Sequence, residues 1–397
     1  MVPGMQRVGV VAAVRTPIGK FLGALSGLSA VELGTAALRA AIARAGVQPA
    51  EVEEVIFGHA RQLGSGPNPA RQVALRAGCP DATVAMTVNK ACGSSLKALD
   101  LARAALLLDG RSVVVAGGME SMTNIPFLLS RMRQGYRLGH AEVLDGNYQD
   151  GFTCGILGEP MGMTAEYLAD DYGISRAEQD AYALRSHQRA EAAQREGRFA
   201  AEIEPITIRG RRGDQQVVDT DEHVRAGVTL EALAKLPPVF RPKDGTVHAG
   251  NSSGITDGAA ALVLMTEREI ERRGKEPLAW LGPSATAGVP PRIMGIGPVP
   301  AVRALCARTG RELRDFELIE LNEAFAAQVI ACDRDLKLDM ERVNVNGGAI
   351  ALGHPIGATG ARIVVTLLHE MVRRGCRTGL ATLCMSGGMG MAVAFER

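Results

Sequence analysis

The chain has 397 residues, with 44 Lys and Arg against 43 Asp and Glu and a formal net charge of +1. A near-neutral chain lacks the dominant basic field of a nucleic-acid binder, and its longest apolar runs, 112–117 and 259–265, fall far short of the roughly 18 residues a membrane span requires. Apolar types at 46% and charged types at 22% are ordinary globular usage, which excludes a disordered or fibrous protein.

Glycine is abundant at 47 residues and aromatics are scarce at 4%, the texture of an α/β enzyme with many tight turns and close backbone approaches. The length allows two or three domains. Seven cysteines, an odd number with no C-x-x-C pair, argue against a disulfide framework or a zinc site, so no metal is expected. The apolar run 8–14 leads into Arg15-Thr16-Pro17 and reads as a buried strand and turn rather than a secretory leader. A reducing, cytoplasmic setting follows as the expectation.

In chain order, helical patterns are expected over 30–45 and 95–108, with β-type runs at 55–57, 83–88 and 113–116, the last ending at Gly117-Gly118-Met119. From about 121 to 250 the chain is more charged and irregular, with one long amphipathic helix over 177–196. A buried strand is expected over 258–265, and from about 276 the alternation resumes, with strands at 318–321 and 380–384 bracketing a helix over 358–371. The outer stretches look alike: in each, a strand, a strand-to-helix junction, a helix and a further strand ending in a glycine-rich turn follow at nearly equal spacing. If the halves pack about a pseudo-two-fold, Cys92 and His354 occupy equivalent junctions facing one crevice at the strand carboxyl ends.

Cys92 is the sharpest candidate for chemistry. It precedes Gly93-Ser94-Ser95 and opens a helix, where the macrodipole and free N–H groups favour a thiolate and can receive an oxyanion. A free cysteine is also a small core hydrophobe, so position rather than residue type singles it out. His354 lies in a run with five glycines between Asn346 and Gly360 and precedes Pro355, which places it near a helix N-terminus, as a neutral base or as a capping residue. The run has no lysine after its glycines, which excludes a Walker-type phosphate loop. Cys384 ends an apolar strand beside a glycine-rich turn. Asn322 ends another strand, where its amide can anchor a water, orient an imidazole or cap the next helix. Residues 250–254 fit G-x-S-x-G, but 245–249 make a poor strand before them, so a nucleophile elbow is rejected in favour of a ligand-contact loop.

Together these segments resemble the thiolase family over nearly the whole chain. The resemblance rests on Val14-Arg15-Thr16-Pro17-Ile18-Gly19, 89–94, Gly117-Gly118-Met119-Glu120-Ser121-Met122, 250–260, 294–300, Asn322-Glu323-Ala324-Phe325, 346–360 and 384–390, in family order. It implies an α/β fold of two similar halves in a five-layered αβαβα arrangement, with an inserted loop domain. The division expected is an N-terminal half over 1–120 continuing at 251–275, the insert over 121–250 and a C-terminal half over 276–397.

The activity implied is Claisen condensation of two acetyl-CoA, or thiolysis of a 3-ketoacyl-CoA, through a thioester on Cys92. His354 would take the thiol proton, Cys384 would act as acid and base at the α-carbon, and Asn322 would hold a water beside the enolate oxygen. The N–H groups of Cys92 and Ser386 would receive the tetrahedral oxyanion. Arg225 and Ser253 would contact coenzyme A, and Met161, Met294 and Phe325 would line the acyl pocket; both methionines also read as core. No cofactor beyond the coenzyme A thioesters is implied, and the partners are acyl-CoA, coenzyme A and further copies in a homodimer or homotetramer. Three positions depart from the family pattern: Ser95 and Ser386 stand where glycine is frequent, and Pro160 where histidine is often found. The rival readings are a decarboxylating ketoacyl synthase, for which no second catalytic histidine is evident, and a non-catalytic carrier of acyl-CoA or lipid, which would need none of Cys92, His354 and Cys384.

Overall fold

A computed structural model of the chain describes residues 6–209 and 214–397. Its frame is one mixed sheet in the order Leu318–Leu321, Thr378–Met385, Met389–Glu396, Ala279–Gly288, Val8–Arg15, Thr256–Thr266, Val113–Ser121, Glu54–Gly58 and Val84–Val88, with the short strand Gly19–Lys20 paired onto Thr256–Thr266. The halves meet where Val8–Arg15 touches Ala279–Gly288 through only Gly9 opposite Trp280 and Val10 opposite Ala279. Each half keeps its own parallel pairs: Glu54–Gly58 with both Val84–Val88 and Val113–Ser121, and Leu318–Leu321 with Thr378–Met385.

The strands are apolar on both faces, as a sheet covered on both sides requires. Along Val113–Ser121 successive side chains point oppositely, so Val113 and Val115 enter one core while Val114 and Ala116 enter another. The first is closed by helices Ala30–Ala45 and Pro69–Arg76, through Leu33, Ala37, Leu38 and Val73. The second lies between the halves, where helices Ser94–Leu108 and Ile356–Arg374 pack together through Leu96, Leu99, Ile363, Val364 and Leu367, with Leu262 from one half and Leu383 from the other. Helices Pro298–Thr309 and Ala326–Leu336 close the remaining face through Val302, Leu305 and Val329. The result is five layers, helix–sheet–helix–sheet–helix, and each fully buried Leu, Ile or Val contributes roughly 1.5–3 kcal/mol.

The strand expected to stop at Ala116 continues to Ser121. Gly117 and Gly118 lie within it because a Cβ at Gly117 would overlap the Ala260 carbonyl, and one at Gly118 would overlap the Gly357 carbonyl and lie 2.6 Å from the Ser95 Cβ. These glycines serve close approach, not a turn. The middle stretch is more ordered than its composition suggests. It holds helix Met161–Tyr172 as well as the long helix, which spans Arg176–Arg195 and starts with a capping box between Ser175 and Glu178.

Candidate active site

Cys92 sits in the turn between strand Val84–Val88 and helix Ser94–Leu108. Ala91 takes a left-handed φ of 49°, a strained conformation costing roughly 1 kcal/mol or more for a residue with a Cβ, and side chains around it hold the turn. Ser94 Oγ accepts from Lys90 N–H (2.9 Å) and donates to Ala91 O (2.6 Å), and Asn89 Oδ1 accepts from Ala91 N–H (3.0 Å). Gly93 must lack a side chain, because a Cβ there would overlap the Met385 sulfur. That contact lays the Cys92 turn directly on the end of the Cys384 strand.

The Cys92 sulfur lies under the N–H of Ser386 and its own N–H. Ser386 does not take a positive φ, unlike Gly387 (84°) and Gly388 (85°) after it, so its Cβ carries no backbone strain. The expectation of a thiol with lowered pKa is corrected here. Burial pushes the Cys92 thiol up, and the two N–H groups and Arg61 only partly offset it, while Glu120 opposes them. The helix is capped by Gly93, so Cys92 stands one residue outside the cap, where desolvation outweighs the dipole.

His354 precedes Pro355, which caps helix Ile356–Arg374. Its Nδ1 lies 2.6 Å from Thr359 Oγ1, and that hydroxyl donates to Pro355 O at 3.0 Å. The pair of contacts fits an Nδ1–H tautomer, in which the ring donates to Thr359 and Nε2 keeps a lone pair. The ring is almost fully buried, and burial, with the charges of Arg362 and Arg61, pushes its pKa down to about 3. A neutral base is what the sequence led us to expect; the cause is desolvation rather than the helix end.

Cys384 is fully buried against Met294 and Ala324, with Met161 and Phe325 packed on the same cluster. Burial first, and the nearby Cys92 second, push its thiol well above the usual range. Asn322 follows strand Leu318–Leu321 and donates its N–H to Thr382 O at 3.0 Å, two residues from Cys384. Its side-chain amide is buried, yet neither Oδ1 nor Nδ2 has a partner, as expected of a group that awaits a water or a ligand.

A cavity of about 600 Å³ lies beside this centre, its wall free of Cys92, His354, Cys384 and Asn322 themselves. Met161 and Phe325 line it and also pack on Cys384, and Arg225, Ser252, Ser253 and Gly254 line its outer part. The 250–254 loop is joined to the reactive groups by backbone bonds from Ser253 N–H to Ala324 O (3.0 Å) and from His354 N–H to Gly254 O (3.1 Å). Met294 stands on the Cys384 side and is not part of the cavity wall. Sequence reasoning missed Lys20, Phe21, Tyr148, Phe152, His223 and Phe240 on that wall. Lys20 and Phe21 directly follow the Val14–Gly19 signature, which could have flagged them. Phe240 stacks edge-on to Phe325 at 6.4 Å and packs against Gly162, a pairing that no local pattern announces. Among the described residues no cluster of three or more His, Cys, Asp or Glu could hold a metal, and no helix is long and apolar enough to cross a membrane.

A five-layered duplicated α/β frame with two neighbouring cysteines, and a histidine tied to the wall of the adjoining cavity, defines a class of protein, and comparison with known proteins agrees. Residues 8–268 match the family Thiolase, N-terminal domain, and residues 275–397 match Thiolase, C-terminal domain. The chain belongs to the thiolase family. It is 51% identical over 393 residues to an acetyl-CoA acetyltransferase of Pseudomonas aeruginosa, covering 99% of this chain and 100% of that protein. Its fold superposes on the crystal structure of the Bacillus anthracis acetyl-CoA acetyltransferase with a TM-score of 0.96 at 48% identity, covering 99% of each chain. Human mitochondrial 3-ketoacyl-CoA thiolase gives 0.94 at 42% identity, over 98% of this chain and 99% of the other.

Proposed function

We propose that the protein is an acyltransferase that moves an acyl group between coenzyme A thioesters through a thioester on Cys92, joining two acetyl-CoA into acetoacetyl-CoA and coenzyme A or running the reverse thiolysis. The observation that supports this reading is Cys92, with two N–H groups at its sulfur, near the buried Cys384, whose packing cluster shares Met161 and Phe325 with the cavity wall, while His354 is tied to that wall through the Gly254 backbone.

In the first half-reaction Cys92 attacks the thioester carbonyl as His354 Nε2 takes its proton, so a thiol with a raised pKa needs no standing charge. The N–H groups of Cys92 and Ser386 receive the oxyanion. Coenzyme A leaves as a thiolate and takes a proton from Cys384, which becomes a thiolate. A second acetyl-CoA then loses its α-proton to Cys384, and the enolate oxygen is met by His354 and by a water on Asn322. The carbanion attacks the Cys92 thioester, and Cys92 leaves with the proton held by His354. Loading Cys92 exchanges a thioester for a thioester, so that half-reaction is near thermoneutral, and the cycle calls on no cofactor beyond coenzyme A.

Arg225 is the partner for the nucleotide end of coenzyme A and Ser253 for the pantetheine. Met161, Met294 and Phe325 bound the acyl group. The same reading divides the chain into halves 1–120 with 251–275 and 276–397, around an insert over 121–250. It places the protein in the cytoplasm as a homodimer or homotetramer. Support for association comes from the edge strand Val84–Val88, with Val84 and Met86 exposed, and from the exposed Phe127, Met132 and Leu138 of the insert. The test is intact-mass analysis after mixing with acetyl-CoA. An acetyl group on Cys92 that is absent from Cys92→Ser supports the reading. Bound acetyl-CoA with no adduct defeats it.

A further inference from the structure

The reactive groups come from two halves of the chain: Cys92 from the first, and His354, Asn322 and Cys384 from the second. Any step that joins Cys92 to His354 depends on how the halves are clamped, whereas α-proton removal by Cys384 draws on the second half alone. The clamp is visible where helix Ile356–Arg374 drives its first turn into the ends of the first half's strands. Side chains are absent from much of this contact. A Cβ on Gly118 would overlap the Gly357 carbonyl, one on Gly58 would lie 2.7 Å from the same oxygen, and one on Gly360 would lie 2.7 Å from the Leu96 Cβ.

Two buried polar side chains remain in that gap. Glu120, on strand Val113–Ser121 of the first half, accepts from Gly357 N–H of the second half at 2.8 Å, and from Ala60 N–H (3.2 Å) and Arg61 N–H (3.3 Å) of its own half. Gly357 is two residues beyond Pro355, the cap of the helix that His354 leads into, so a carboxylate of one half serves the helix start of the other. Ser95, in the first turn of the helix opened by Cys92, accepts from Ala361 N–H of the His354 helix at 2.9 Å. Glu120 and Ser95 are both fully buried.

We propose that Glu120 and Ser95 are positioning residues that hold His354 within proton-transfer reach of Cys92 by fastening the two helix starts across the junction between the halves. Neither touches substrate. The groups facing Glu120 are His59, with Nε2 3.2 Å from its Oε1, then Arg61, Cys92 and Asp257. Its carboxyl is held below the usual range by His59, Arg61 and the Gly357 N–H against the cost of burial, which keeps it a pure acceptor for all three backbone donors. Ser95 gives the departure from the usual glycine a purpose, since a glycine there could not accept from Ala361.

This inference rests on the acyl-transfer reading above, and its test separates the two. Glu120→Gln keeps the shape but turns part of the acceptor into a donor facing N–H groups. Ser95→Ala removes one acceptor and covers the case in which Glu120→Gln does not fold. Two steps are measured in each variant: acetylation of Cys92 by acetyl-CoA in rapid-quench mass spectrometry and, once Cys92 is fully acetylated, exchange of acetyl-CoA α-protons with solvent deuterium. Misplacement by a fraction of an ångström to an ångström costs about tenfold to a hundredfold in a step that needs contact between the groups. Each variant is therefore expected to slow acetylation at least tenfold while α-proton exchange stays within twofold of wild type. Equal losses in both steps, the mark of a merely structural role, would overturn the proposal, as would acetylation within twofold of wild type. Failure of wild type itself to acetylate Cys92 defeats the acyl-transfer reading instead.

Discussion

An ordinary imidazole titrates near 6.5, whereas burial and the charges of Arg362 and Arg61 push His354 down to about 3. If His354 is the base for Cys92, acetylation must survive acidification that would disable an ordinary histidine. An imidazole of pKa 6.5 is about 76% neutral at pH 7 and about 3% neutral at pH 5, a loss of about 25-fold in active base. His354 stays about 99% neutral across that range, so single-turnover acetylation of Cys92 is expected to change by less than about twofold between pH 7 and pH 5. A rate that falls tenfold per pH unit below 6.5 would refute the reasoning. The same shift acts on stability, with a definite sign. The folded-state pKa is depressed, so between about 3 and 6.5 the unfolded chain binds more protons than the folded one. The stabilising contribution is complete above 6.5 and is lost as pH falls toward 3, reaching roughly 2 kcal/mol at pH 5. His354→Gln cannot titrate. In urea unfolding, the loss of stability between pH 7 and pH 5 should therefore be smaller in this variant by about that amount.

Cys384→Ala is expected to retain acetylation of Cys92, with slower release of coenzyme A, and to lose acetoacetyl-CoA formation by at least about a thousandfold, because no other group at the α-carbon can take the proton. Condensation at the wild-type rate would remove Cys384 from the mechanism. Arg225→Ala should raise KM for acetyl-CoA about tenfold, roughly 1.4 kcal/mol, with kcat unchanged, since a contact to the nucleotide end is made equally in ground and transition states. Unchanged KM would show that the nucleotide binds elsewhere. Gly118→Ala places a Cβ into the Gly357 carbonyl and against Ser95, and should cost about 3 kcal/mol or more by urea denaturation. A loss below about 1 kcal/mol would mean that the junction yields easily.

The alternation of strand and helix and the near-equal spacing of the two halves could be read directly, because a sheet covered on both faces writes itself as short apolar runs separated by helical periods. The turn residues misled at Gly117-Gly118. A glycine pair looks like a stop when only its neighbours are visible, and its reason lies in Gly357 and Ala260, more than a hundred residues away. Glu120 is illegible for the same reason, since its closest backbone donor is 237 positions along the chain. Cys92, His354 and Cys384 were legible as helix- and strand-end residues flanked by glycine. Their ionisation was not, because desolvation depends on how completely the halves close over them, and that is a property of packing rather than of order along the chain.

The raised pKa values of the two thiols decide how the reaction can be divided. A Cys92 of depressed pKa would be a better leaving group and, as a thiolate, a nucleophile of lower intrinsic strength. In the proposed mechanism Cys92, a thiol under the Ser386 N–H, becomes an anion only as it attacks and passes its proton to His354. Cys384 faces the opposite demand. The α-proton of a thioester is a very weak acid, and a base of ordinary thiol strength would leave most of the barrier in place. Burying Cys384 against Met294 and Ala324 strengthens it as a base, at the cost that it cannot ionise to water unaided. In the proposed mechanism the departing coenzyme A thiolate takes the Cys384 proton and leaves the base in place for the second substrate. In the proposed mechanism, burial of Cys384 is thus the reason acylation precedes enolisation. Enclosing the site less tightly, for instance through Met294→Gly, should let α-proton exchange begin without prior acylation while lowering its maximal rate. Comparing exchange rates in Cys92→Ala with and without that second substitution measures the effect, and equal rates would mean that the wall around Cys384 does not set its basicity.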